Sequence, residues 1–170
     1  MKSITCKSIT CICLVAIAAF LSACSKSPEA GAPKAGAVHK HEHHPPHGGA
    51  PVELGEEENH VELVRDAASG KLQAFVLDGE LENFVRIAAP SLEITAQVSG
   101  HETNLVLLAV ANNATGEKVG DTSLFEGQAD WLKTTPEFDG VLKSITVHGK
   151  TYSNLKFNFP KGSDEGAAKN

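Results

Sequence analysis

From about residue 50 onward the chain sets short apolar runs between turn residues, the pattern of strands. Over Ser91 to Val98, Leu92, Ile94, Ala96 and Val98 alternate with polar or small residues, which predicts a strand with one buried and one wet face. Similar runs at 52–54, 61–65, 72–78 and 84–87 are bounded by Gly55, by Ser69 and Gly70, and by Asp78 and Gly79. Leu105 to Ala111 is apolar at both parities, which predicts a central strand covered on both faces. Residues 112–121 read as a turn-rich excursion and 129–133 as a single helical turn. The runs 142–147 and 151–159 flank His148, Gly149 and Lys150, a short connection that predicts a β-hairpin. No internal repeat is evident. The expected domain is all-β, spans 47–160, and is an antiparallel immunoglobulin-like or cupredoxin-like sandwich, with an open barrel as the lesser alternative. Residues 161–170 are expected to form a disordered tail.

The amino-terminal segment follows a different pattern. Lys2 and Lys7 precede an apolar run from Ile9 to Phe20, and Leu21, Ser22, Ala23 and Cys24 follow it. Charged, apolar and small residues in that order predict a signal peptide over 1–23, too short to span a bilayer comfortably. The ending Leu-Ser-Ala-Cys resembles the lipobox of bacterial lipoproteins. That resemblance implies acylation of Cys24 and a membrane partner reached through lipid, and thus an address in the cell envelope facing the periplasm. Ser25 is not the aspartate that retains enterobacterial lipoproteins at the inner membrane, so the outer membrane is favoured. Residues 24–46 then form a flexible tether. Its first stretch, SKSPEAGAPKAGAV, is mainly Ala, Gly, Pro, Ser and Lys without an apolar period.

Composition narrows the chemistry. Cys6, Cys11 and Cys13 fall in the signal segment, so lipidation at Cys24 leaves no thiol for a disulfide, a nucleophile or a zinc thiolate. Met1 is the single methionine, which removes thioether copper sites as well. Thirteen basic residues face twenty-one acidic ones after residue 23, a balance that argues against a nucleic-acid partner. The sequence has no GxSxG elbow, phosphate-binding glycine loop or dinucleotide fingerprint, so no enzyme is expected. His101 opens a string that starts like a zincin helix but lacks its second histidine; it and His148 read as loop residues.

Imidazole and carboxylate remain. His39, His41, His43, His44 and His47 fall within nine residues, a density that favours chelation of Zn(II), Cu(II) or Ni(II). Flexible backbone imposes little geometry, so Cu(II) should lead by intrinsic affinity and selectivity should be poor. The competing reading is a polar spacer. Downstream, HGGAPVELGEEENHVELV carries His47, Gly48, Gly49, Gly55, His60 and Glu62. This segment resembles the HGG…HxEL stretch near the start of small domains in envelope lipoproteins and in periplasmic adaptor subunits of heavy-metal efflux pumps. The likeness runs from 47 to about 98, and it implies envelope or efflux components as partners. The coiled-coil and barrel regions of a pump adaptor are absent from it.

On a strand His60 and Glu62 share a face. If Gly48 and Gly49 fold His47 back beside them, His47, His60 and Glu62 would offer three nitrogen and oxygen donors to one ion. The alternative is that His60 and Glu62 form the solvent face of an amphipathic strand with a basic cross-strand partner. Two functions follow: a lipid-anchored protein that binds or buffers divalent transition metal, or a non-catalytic envelope interaction module whose histidines are an incidental spacer.

Overall fold

The structure, a computed structural model, describes residues 44–163. Cys24, His39, His41 and His43, the expected signal peptide and most of the expected tether lie outside the described residues, as do residues 164–170. The described chain is almost entirely β: β1 (Ala50–Leu54), β2 (Asn59–Asp66), β3 (Lys71–Asp78), β4 (Ser91–Val98), β5 (His101–Ala109), β6 (Leu124–Gln128), the single helical turn α1 (Trp131–Thr134), β7 (Phe138–Val147), β8 (Lys150–Phe159) and β9 (Gly162–Ser163). All pairings between named strands are antiparallel, as expected.

The nine strands form one continuous hydrogen-bonded order, β1-β2-β3-β6-β5-β4-β7-β8-β9. The β4–β5–β6 meander has β7 beside β4, reached through the connection that carries α1, which is a Greek-key arrangement. The sheet curls until β1 packs beside β8 and β9. There the Glu53 N–H donates to Ser163 Oγ at 2.7 Å. The result is barrel- or sandwich-like, with one apolar interior.

Period-two patterning fills that interior. Val61 and Leu63 from β2, Leu72, Ala74 and Val76 from β3, Leu92, Ile94 and Ala96 from β4, and Leu105 and Leu107 from β5 are all buried in it. A wholly buried side chain of this size contributes about 1.5–3 kcal/mol, so the interior face dominates stability.

Four sequence readings need correction. Phe84 to Ile87 is not a strand: Asp78 captures the amides of Glu82 and Asn83, and the chain then makes only isolated bridges at Leu77 with Phe84 and Ile87 with Thr122. β6 went unrecognised because Glu126 and Gly127 interrupt its apolar run. Gly127 is needed there, since a Cβ would stand 2.6 Å from both the Leu107 side chain and the Val106 carbonyl. Gly162 and Ser163, assigned to the tail, instead pair with β8. Residues 105–109 of the segment 105–111 do lie inside the sheet, in β5 between β4 and β6, but the outer face is bare, with Val106 48% and Leu108 62% exposed.

Candidate functional site

The outer face of β2 and β3 departs from the rest of the sheet. Residues 59–63 are buried at both parities, so this patch is covered from outside as well as from within. Two segments lie over it. One is the loop after β3, which buries Leu81 and with it Leu77, both apart from the main core. The other is the end of the histidine tract.

That tract end turns because of its own residues. Pro45 and Pro46 fix φ near −65°, and the Gly48 N–H closes a β-turn onto the Pro45 carbonyl at 3.0 Å. Gly48 sits at φ 67°, which glycine adopts without steric cost. Gly49 lies flat on β2: a Cβ there would stand 2.4 Å from the Leu63 carbonyl and 2.9 Å from Glu62 Cγ. The two glycines thus let the chain double back against the strand.

Glu62, with no solvent exposure, receives the turn. Its Oε1 accepts the backbone N–H of His47 at 2.9 Å and that of Gly49 at 2.8 Å. Its Oε2 accepts from His47 Nδ1 at 2.8 Å. Burying a carboxylate is costly unless donors replace water, and three N–H donors with charge-assisted geometry do so here. The His47 ring also stacks on Phe75, the cross-strand neighbour of Glu62, with centroids 3.9 Å apart and planes 16° from parallel. Phe84, about half exposed, stands at the rim with its ring centroid 5.8 Å from that of His47.

The proton on His47 follows from these contacts. An ionised carboxylate can only accept, so Nδ1 carries the hydrogen, and in the neutral ring Nε2 is then the nitrogen with the lone pair. The side chain is 36% exposed. One face of the ring and one of its nitrogens are therefore held by the protein, and the second nitrogen remains a base or a ligand.

His60 has a different setting. It is 5% exposed, pairs across the ladders with Glu53 and Leu77, and its Nδ1–H donates to the Asp78 carbonyl at 3.3 Å. Burial pushes the Asp78 carboxyl up, but bonds from Asn83 and from the Asn83, Glu82 and Glu80 amides outweigh it, leaving the group below its ordinary range. This anchors the loop over Leu81 as an anion-centred turn. His60 and Glu62 do share a face, but that face is buried and is not a solvent face with a basic partner. His47 and Glu62 meet; His60 does not join them as a third donor, and among the described residues no three His, Cys, Asp or Glu side chains are placed to hold a metal ion.

Of the remaining histidines, His148 lies in a turn as expected, whereas His101, expected in a loop, belongs to a strand. His44 is exposed just before the turn, and His101 is exposed as the first residue of β5. His148, at φ 51°, occupies the tight turn between β7 and β8 and is also exposed. Sequence reasoning missed Phe75 and Phe84 as the wall beside His47, and missed that Glu62 holds a turn. Nothing local signals either, because Gly49 and Glu62 are thirteen residues apart.

Fold and site together define an all-β domain with a carboxylate-held imidazole just ahead of its first strand. No family model, curated protein or solved structure matches this chain.

Proposed function

We propose that this chain is a lipid-anchored cell-envelope protein that binds or buffers divalent transition metal through its histidine tract and His47. The observation that carries the reading is that the fifth histidine of the tract is clamped to the domain with one ring nitrogen left as a lone-pair donor. A polar spacer does not require one of its imidazoles to be held by a buried carboxylate, which here also accepts two backbone N–H groups of the turn. The likeness of HGGAPVELGEEENHVELV to segments of metal-efflux adaptor subunits and envelope lipoproteins supports the same reading, with envelope or efflux components as partners. No catalytic step is assigned.

Calorimetric titration of the intact chain with Zn(II), Cu(II) and Ni(II) tests it. Binding at pH 7 should be tighter than about 100 μM for at least Cu(II) and should weaken at pH 5, where protons compete for imidazole. Alanine at positions 39, 41, 43 and 44 together should remove most of the affinity. Binding weaker than that threshold for all three ions would overturn the proposal. A second reading, a protein-interaction module, draws on the bare outer face of β5 with Val106 and Leu108 exposed.

A further inference from the structure

Resting on the metal-binding reading, we infer that Glu62 is a positioning residue and not a ligand, and that it commits His47 to bind metal through Nε2 alone. The domain then supplies one preoriented imidazole to the ion.

Both Glu62 oxygens already accept N–H donors, two from backbone and one from the ring, and the side chain is wholly buried. A metal recruiting Oε2 would have to displace the His47 ring N–H, and one recruiting Oε1 the two amides, at about 1–3 kcal/mol for each buried donor left unpaired. Coordination at Nε2 demands no such loss. Metal-bound histidines characteristically donate their second ring nitrogen to a carboxylate, which fixes the tautomer and raises ligand basicity. His47 has that arrangement, and its stacking on Phe75 restricts ring rotation in addition. An imidazole so held has already lost the rotamer freedom that a tract histidine must surrender on binding. His44 stands three residues away across the turn closed by Gly48 and Pro45, within chain reach of the same ion. The ligand class is a divalent transition ion that accepts imidazole nitrogen.

Glu62→Gln isolates the effect. Its carbonyl can keep the two backbone N–H bonds that Oε1 now accepts, while its amide NH2 faces Nδ1 and donates to it. The ring proton must then move to Nε2 and block the outward nitrogen.

Long-range 1H–15N spectra of the ring nitrogens, with Zn(II) titrated into the intact chain, read this directly. The expected results are a proton on Nδ1 without metal, a displaced Nε2 resonance on adding Zn(II), and a proton on Nε2 in Glu62→Gln. Zn(II) affinity should fall about 10–100-fold in Glu62→Gln, and by at least as much in His47→Ala, whose partly exposed side chain can be removed with the fold retained. If Glu62→Gln fails to fold, His47→Ala and the wild-type spectra decide the matter. Zn(II) binding that leaves the His47 resonances and the affinity of His47→Ala unchanged would overturn this inference while leaving metal binding by the tract intact. A chain that binds no Zn(II), Cu(II) or Ni(II) would overturn both.

Discussion

The outer faces of β2 and β5 carry opposite outcomes from similar strand physics. On β2 the outward Glu62, a charged residue, is completely buried, whereas on β5 the outward Val106 and Leu108, both apolar, are 48% and 62% exposed. Side-chain hydropathy alone would assign these positions the other way round. The difference lies in what crosses each strand. A glycine turn crosses β2 and aims two backbone N–H groups and a ring N–H at one carboxylate, so its desolvation is compensated. Among the described residues no comparable turn covers the outer side of Val106 and Leu108. A polar residue is thus buried where the covering segment supplies donors, and an apolar one is left in water where no segment covers it.

The largest effect should come from Glu62→Ala, which leaves two backbone N–H groups buried without their acceptor and opens a void beside His47. A loss of about 2–4 kcal/mol of unfolding free energy is expected in urea titrations. A loss below about 0.5 kcal/mol would mean that the turn is not held by this carboxylate. Gly49→Ala comes next, because its Cβ would press on the Leu63 backbone carbonyl, which has little freedom to yield. Overpacking of this kind should cost about 1–3 kcal/mol. Its neighbour separates strain from clash: at Gly48 nothing lies within 4 Å of a Cβ, so Gly48→Ala should cost only the left-handed backbone penalty, about 1 kcal/mol. Equal losses at the two glycines would break the account of Gly49 as a contact residue. Leu108→Ser should change stability least, within about 0.5 kcal/mol, since its side chain is mostly in water. A much larger loss on thermal unfolding would show that the bare face of β5 is covered in solution.

Much of the fold was legible from period two. In β4, Leu92, Ile94 and Ala96 alternate with polar neighbours and all three enter the core. The hairpin at His148 and Gly149 was equally plain, because residues at φ 51° and φ 81° suit a tight two-residue turn. β6 was illegible because its Gly127 is there for the approach of β5, a long-range requirement that leaves no local trace. At the site, the glycines after His47 and the shared face of His60 and Glu62 could be read from spacing. The sorting of those two side chains could not: the same alternation that places them side by side says nothing about which segments will lie over each.

The sequence by itself determined the all-β antiparallel class, the concentration of imidazoles ahead of the domain, and the supply of two glycines where the chain must double back. Those properties reside in local patterning, and periodicity carries them directly. Only the tertiary structure decided that the nine strands form one continuous curled sheet, that Glu62 serves the His47 turn, and that His60 is held instead by the Asp78 carbonyl. The site contacts join residues at least thirteen apart in the chain, and the curl of the sheet brings β1 beside β8 and β9. Their geometry is fixed by strand register and by burial that must be compensated, which a one-dimensional pattern does not encode.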